Sequence, residues 1–277
     1  MPSDLHVARS GDGPPIVLLH GGGPGCSCET DFAEVVPVLA VFGTVVGIDL
    51  DNFGASGDVV IDGPAVRHHA DRVAGALDEA GVRHAVFVCQ SLGGTVALAL
   101  AAERPDLVAR LVLTGSQPVP ADIADSDEGL GSRLRQDLFA GGPDETGMRR
   151  LMAAAEWHDA SRIPDRLVRA RLSNAAAHHA VIPGDHPTGR GAPTVLTDVL
   201  GTVAQHVLLV WGEHDPFASP DYAREVARRL PRADLRVIAA AAHHPQSERP
   251  EEYLRAVLPF VVDARVDDLP AEETIDA

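Results

Sequence analysis

A serine stands between an apolar run and a glycine pair in Val86-Phe-Val-Cys89-Gln90-Ser91-Leu92-Gly93-Gly94. A buried strand that ends there and turns sharply into an Ala-rich helix projects the Ser91 hydroxyl at the carboxyl edge of a sheet, the arrangement of a nucleophile elbow. The usual pattern is Gly-x-Ser-x-Gly. Here Cys89 replaces the first glycine, and it is compact enough to pack under a strained turn. A serine that only caps the following helix has the same local sequence, so the chemistry needs partners. One is Leu18-Leu19-His20-Gly21-Gly22-Gly23-Pro24-Gly25, whose backbone N–H groups can face an oxyanion. The donor pair for acyl transfer is then Gly22 and Leu92, the residue after the serine. A flexible connection is the plain alternative for this loop. It is not the Gly-x-Gly-x-x-Gly run with a following acidic ribose ligand, so dinucleotide binding is the weaker reading. Downstream, His206 to Trp211 followed by Gly212-Glu213-His214-Asp215 sets an acid after a strand, and Ile238 to His243-His244 sets an imidazole after the next. Glu213 competes with Asp215 but falls earlier in the turn, so Asp215 is favoured. Serine, acid and histidine, each at the end of a different parallel strand where such sheets form crevices, read as a catalytic triad.

The elements that must carry these residues alternate short β-branched runs with helical stretches, the pattern of a mostly parallel sheet flanked by helices. Strands are predicted at Ile16–Leu19, Val45–Ile48, Ala85–Cys89, Leu111–Thr114, His206–Trp211 and Leu235–Ala239. Leu5–Arg9 alternates and is joined to the first of these by Gly11-Asp-Gly-Pro-Pro15, which predicts an antiparallel N-terminal ribbon and a sheet mixed at one edge. Helices are predicted at Thr30–Ala40, Pro64–Ala80, Leu92–Glu103, Pro220–Leu230 and Pro250–Asp263, several opening with Pro as a first helical turn allows. Between Gln117 and about Gln205 the strand rhythm stops, and amphipathic helix broken at Gly141-Gly-Pro143 and Pro183-Gly184 takes over. A structureless loop of that length is improbable in a compact domain. The division is therefore a core of residues 1–116 and 206–277 with a helical cap or lid at 117–205. The acidic stretch from Asp263 to Ala277 reads as a frayed tail.

The 277 residues are 45% hydrophobic, 23% charged and 4% aromatic, enough for one substantial core. A formal charge of −17 repels phosphate backbones and anionic membranes, so no nucleic-acid or membrane partner is expected. All 23 basic residues are Arg, which excludes Schiff-base lysine chemistry and a phosphate loop that needs Lys. No apolar run spans a bilayer and the first nine residues lack a secretory layout, so a cytoplasmic location is expected. The three cysteines, Cys26, Cys28 and Cys89, read as reduced thiols, Cys89 buried under the elbow and the other two more open on the glycine-rich loop. Adjacent His68-His69 and His178-His179 diverge by about 100° on a helix and cannot chelate one ion. No metal and no cofactor is expected, the partner is a small-molecule substrate, and homo-oligomerisation is left open.

The segments His20–Gly25, Asp49-Leu-Asp-Asn-Phe-Gly-Ala-Ser56, Cys89–Gly94, Trp211–Asp215 and His243-His-Pro-Gln-Ser-Glu-Arg-Pro250 together resemble the α/β-hydrolase superfamily over nearly the whole core. The triple glycine followed by Pro-Gly resembles the meta-cleavage-product hydrolases, which cleave C–C bonds in vinylogous 1,5-diketones formed by aromatic ring fission. That resemblance implies an α/β-hydrolase fold with a helical cap. It puts His243 rather than His244 on the catalytic position, with His244 on the pocket wall where the family has Trp. It places Arg171, in His158 to Arg171, on the arginine that binds and polarises the dienoate end, and the plain alternative is a surface arginine on an Arg-rich helix. Gly21, Gln90, Asp31 and His244 complete the implied substrate-binding set. Gln90 stands where the family usually has Asn and Asp31 near another position usually Asn, and a carboxylate beside a dienoate is repulsive unless protonated or paired.

The resulting expectation is a serine hydrolase with Ser91 as nucleophile or hydroxyl base partner, His243 as base then acid, and Asp215 orienting the imidazole. Its reaction is hydrolysis of a C–C bond next to a ketone, with ester or lactone hydrolysis as the alternative. A cofactor-independent lyase, cyclase or oxygenase on the same fold is a second class. A ligand-binding relative without catalysis is a third, disfavoured by the intact Ser, Asp and His set.

Overall fold

Strands buried on both faces read as near-continuous apolar runs, and the five interior strands of the sheet are such runs. The computed structural model describes residues 4–119, 129–178 and 196–267. Seven strands are present there: β1 (Val7–Ser10), β2 (Pro15–Leu19), β3 (Thr44–Ile48), β4 (Ala85–Gln90), β5 (Val108–Thr114), β6 (His206–Gly212) and β7 (Ala233–Ile238). They lie in the order β1-β3-β2-β4-β5-β6-β7, all parallel except β1. The predicted interior strands are thus found, mixed at one edge. The ribbon itself differs from expectation, because β1 pairs antiparallel with β3 and not with β2. The joint at residues 11–14 folds onto the end of the following helix: a Cβ on Gly11, at φ +77°, would lie 2.3 Å from the Ala40 carbonyl. That packing steers the chain away from a tight hairpin and leaves the slot beside β2 to the returning β3.

Helix α3 (Ala65–Glu79), α4 (Leu92–Glu103) and α8 (Pro220–Arg229) cover one face of the sheet. The other face is covered by α1 (Cys28–Phe32), α2 (Val36–Phe42) and α9 (Pro250–Asp267). The sequence of α4, LGGTVALALAAE, has no polar side, as befits a helix wedged between β2, β4, β5 and α3. The helix predicted at Thr30–Ala40 is two helices. Ser27 caps the first through a reciprocal box with Thr30, and Pro37, which lacks an N–H, starts the second. The last helix runs past Asp263 to Asp267.

Within 117–205, helices α5 (Leu130–Phe139), α6 (Glu145–Ala155) and α7 (Asp165–Ala177) share their own apolar cluster, built from Leu138, Met148, Met152, Trp157 and Val168. The predicted break at Pro183-Gly184, His179 and the tail beyond Asp267 lie outside the described residues. Among the described residues no helix is long and apolar enough to cross a membrane. All three cysteines are buried, at 0% exposure for Cys26 and Cys89 and 8% for Cys28, and burial pushes each thiol up. The expected openness of Cys26 and Cys28 is therefore corrected. The loop they flank is packed under α7, where a Cβ on Gly25 would lie 1.9 Å from the Arg171 carbonyl.

Candidate active site

The end of β4 is strained. Ser91 sits at φ +47° and ψ −111°, a left-handed region that costs a non-glycine residue on the order of 1–3 kcal/mol. Its N–H donates to the Thr114 carbonyl at 2.8 Å, and its side chain makes no cap bond to α4. Ser91 does stand at the N-cap position, its carbonyl accepting from the Gly94 and Thr95 N–H groups at 3.0 and 3.2 Å, but its hydroxyl is not spent on the cap. The two glycines that follow are required by closeness: a Cβ on Gly93 would lie 2.3 Å from the Leu19 carbonyl, and one on Gly94 would lie 2.0 Å from Ser116 Oγ. The Gly93 N–H also donates to the His20 carbonyl at 3.0 Å, tying the elbow to the glycine-rich loop. His20 itself is buried, with Nε2 accepting from the Leu50 N–H at 2.9 Å.

At the ends of β6 and β7, His243 Nδ1 lies 2.7 Å from Asp215 Oδ2. The other Asp215 oxygen accepts from the Phe217 N–H at 2.9 Å, which fixes the carboxylate against the ring. Burial disfavours the imidazolium of His243, but the Asp215 charge and hydrogen bond outweigh it, aided by Glu156 and Asp31, and its pKa is raised. His244 is pulled the other way, lowered by burial despite the same two carboxylates. Glu213 is exposed and accepts from the Ala240 N–H at 3.1 Å, so the competition with Asp215 is decided by geometry.

Ser91, His243, His244, Gly21 and Gly22 line one cavity of about 220 Å³, and helices α5 and α6 contribute much of the remaining wall. Gly22 faces the residue after the serine, since a Cβ placed on it would lie 3.1 Å from Leu92 Cδ2. Gln90, Asp31 and Arg171 are close by but behind the wall. Gln90 Nε2 donates to the His243 carbonyl at 2.9 Å, and Asp31 Oδ2 accepts from the Gly21 N–H at 2.8 Å.

Arg171, expected on the cavity wall pointing at the triad, is buried and occupied. Its NH2 and NH1 donate to the two Glu156 oxygens at 2.7 and 2.9 Å, and Nε donates to the Pro24 carbonyl at 2.9 Å. The Arg171 charge holds Glu156 well below the usual carboxylate range despite its burial. Fifteen residues and an intervening turn separate the partners, so no helical period announces the pair. Removing one member leaves the other buried and uncompensated, which typically costs about 3–5 kcal/mol. Arg171→Ala is therefore expected to lower the unfolding free energy in urea by about that much, with most of it recovered when Glu156 and Arg171 are both replaced by Met. A loss under about 1 kcal/mol in the single variant would contradict this account.

Two further residues shape the site, Gly115 with no sequence signal and Glu248 inside the His243–Pro250 segment without a role assigned to it. Gly115 ends β5 at φ +57°, and a Cβ there would lie 2.8 Å from His243 Cε1, so only glycine leaves room for the His–Asp pair. Glu248 is buried and accepts backbone N–H groups from His158, Asp159 and Ala242, stitching the turn after α6 to the loop bearing His243. Among the described residues two side-chain groups bring three ligating atoms within 4.8 Å of one another, Cys26–Asp31–His244 and Asp51–His68–His69. The second shows that the adjacent histidines approach one point more closely than their divergence on the helix suggests. Each group also holds a fixed cation: Arg171 is 4.0 Å from Asp31, and Arg72 donates to both Asp51 oxygens at 3.0 and 3.2 Å. That positive charge disfavours a divalent ion at either place.

The sequence profile described as alpha/beta hydrolase fold matches residues 14–250. A 2-hydroxy-6-oxononadienedioate/2-hydroxy-6-oxononatrienedioate hydrolase of Paraburkholderia xenovorans is 30% identical over 93% of this chain and 90% of its own. A 2-hydroxy-6-oxo-6-phenylhexa-2,4-dienoate hydrolase of Burkholderia cepacia is 28% identical over 93% of this chain and 91% of its own. Among solved structures, a meta-cleavage product hydrolase from Pseudomonas fluorescens superimposes with a TM-score of 0.78 at 22% identity, covering 94% of each chain.

Proposed function

The chain belongs to the alpha/beta hydrolase fold family and is a hydrolase, and from that premise we propose that it cleaves a C–C bond next to a ketone in a small 2-hydroxy-6-oxo-dienoate of the ring-cleavage type. The observation that carries the catalytic part is the His243–Asp215 bond at the wall of the cavity that the strained Ser91 also lines. His243 takes the Ser91 proton as Oγ attacks the ketone carbon, and Asp215 stabilises the imidazolium that results. The N–H groups of Gly22 and Leu92 stabilise the oxyanion. Ketonisation of the 2-hydroxyl beforehand moves a proton to the carbon beside the reacting ketone, so that when the C–C bond breaks its electron pair is delocalised onto the 2-oxo group and the resulting dienolate takes the proton from His243. Water, deprotonated by the same imidazole, hydrolyses the acyl-serine, so the products are a carboxylic acid and the shortened dienoate. Residues 117–205 act as a cap in this reading, their helices walling the cavity and excluding water. The reading includes a cytoplasmic location and a small-molecule substrate. The size of the cavity supports that choice of partner.

Incubation with 2-hydroxy-6-oxo-6-phenylhexa-2,4-dienoate is expected to release benzoate with loss of the dienolate chromophore. Turnover of simple esters or lactones with no dienoate cleavage would move the assignment to the second reading. That reading has one observation in its favour, since Glu156 already fills the Arg171 fork that the family would offer to a dienoate carboxylate.

The raised His243 pKa fixes the sign of a pH effect. Only the neutral imidazole accepts the Ser91 proton, so a raised pKa makes activity fall earlier on acidification. The acid limb of kcat/KM is expected to lie above the ordinary histidine value of about 6.5. Glu156→Gln removes a charge that favours the imidazolium and should shift that limb to lower pH. An acid limb below the ordinary value in the unaltered enzyme would contradict the assignment of His243 as base.

A further inference from the structure

With the Arg171 fork closed by Glu156 behind the wall, one arginine among the described residues lines the cavity, Arg135. Gly131 and Arg135 are four residues apart on α5 and therefore share a face, and both line the cavity. Gly131 lies against Phe217, since a Cβ there would be 3.4 Å from the Phe217 ring, and that ring is centred 4.5 Å from the His243 ring. This chain of contacts seats the Arg135 face of α5 over the triad. Arg135 Nε is buried with no hydrogen-bond partner, and among the described residues no carboxylate pairs with the side chain. In a chain with 40 acidic residues against 23 basic ones, a half-buried arginine without a partner is conspicuous. Burial alone acts on it, pulling its pKa down to about 10, so it stays a cation at neutral pH.

A guanidinium whose Nε is buried without a partner has lost hydration that a ligand can return, and its planar fork matches a carboxylate in two parallel hydrogen bonds. The opposite wall is unsuited to an anion, because Glu156 lines it and Asp31 lies close behind. We propose that Arg135 is the specificity-determining cation of this site, receiving the carboxylate of an acidic substrate at the α5 side while the reacting carbonyl lies at Ser91. The inference rests on the serine-hydrolase reading above and deepens it: the substrates are small monoanionic acids with a neutral acyl end. A substrate bound this way lies with its acid end away from Arg171, the reverse of what the resemblance to the ring-cleavage hydrolases implies.

The test is a pair of esters that differ only in that charge, 3-acetoxybenzoate and 3-acetoxybenzamide, whose shared acetyl group must occupy Ser91 to react. The unaltered enzyme is expected to favour the acid over the amide in kcat/KM by tenfold or more, through KM. Arg135→Gln should bring that ratio to about one, and Arg135→Lys should restore part of it, which also shows that α5 tolerates substitution. If neither ester turns over, the ratio of dissociation constants for the two compounds on the Ser91→Ala protein reads the same preference. Retention of the acid preference in Arg135→Gln, or its absence in the unaltered enzyme, overturns the proposal. Dienoate cleavage is scored separately. Its absence beside an Arg135-dependent preference removes the C–C assignment and leaves this site standing, and its presence beside an Arg135-independent preference does the opposite.

Discussion

Ser91→Ala is expected to lose turnover by roughly 10⁴-fold or more while keeping its fold and its affinity for substrate. The expectation rests on what the substitution leaves intact. Alanine retains the Cβ and removes only Oγ, which makes no bond to α4, so no hydrogen bond of the elbow is broken. The positive φ at residue 91 is no obstacle, because Ala240 holds φ +49° in the same chain. Ser91→Gly should be as inactive yet more stable, by about 1 kcal/mol, since glycine adopts that backbone without strain. A strained serine whose hydroxyl makes no cap bond is hard to explain by stability, and easy to explain by the need to lift a hydroxyl clear of the sheet. Single-turnover measurement on dienoate or ester reads the loss, and urea denaturation reads the fold. Activity above about a tenth of the unaltered enzyme would remove Ser91 from the chemistry.

The parts of this site that were legible in the sequence are those that local rules dictate. Continuous apolar runs at β4 and β6 could only be interior parallel strands, and the crevice of such a sheet lies at their carboxyl ends. Ser91 and Asp215 follow directly from that geometry, and the resemblance chose between His243 and His244. What was not legible depends on pairings across the fold. Nothing near Arg171 in the sequence marks Glu156 as its partner, and the cation left on the cavity wall by that closure, Arg135, carries no motif. Gly115 reads as an ordinary turn residue until the His243–Asp215 pair is seen beside it. The β1 ribbon failed for a similar reason: a turn-rich joint signals reversal but not which strand receives the partner, and contact of Gly11 with α2 decides it. The thiols of Cys26 and Cys28 were placed by loop composition, whereas packing under α7 governs their exposure.

The adjacent histidines provide the second large effect. His243→Ala is expected to abolish the chemical step, lowering kcat by about 10³-fold or more, whereas His244→Ala should act mainly on KM and substrate preference. Neighbouring side chains on a turn diverge, and here their rings are centred 5.5 Å apart at 54°. His243 alone of the two bonds to Asp215, at 2.7 Å, and that bond consumes Nδ1, leaving Nε2 as the nitrogen that can serve Ser91. The electrostatics divide the pair in the same way. Asp215 favours the His243 imidazolium, which forms as a proton passes from serine to leaving group, while burial disfavours that of His244 and fits it to be a wall. The His244 backbone is itself held, its N–H donating to the Glu156 carbonyl at 3.1 Å, so its replacement does not release the loop that carries His243. Asp215→Asn should parallel His243→Ala, because an amide at that position favours the wrong imidazole tautomer. Steady-state kinetics on the three variants decides the matter: a His243→Ala enzyme with near-normal kcat, or a His244→Ala enzyme as inactive as Ser91→Ala, would transfer the base role to the neighbouring ring.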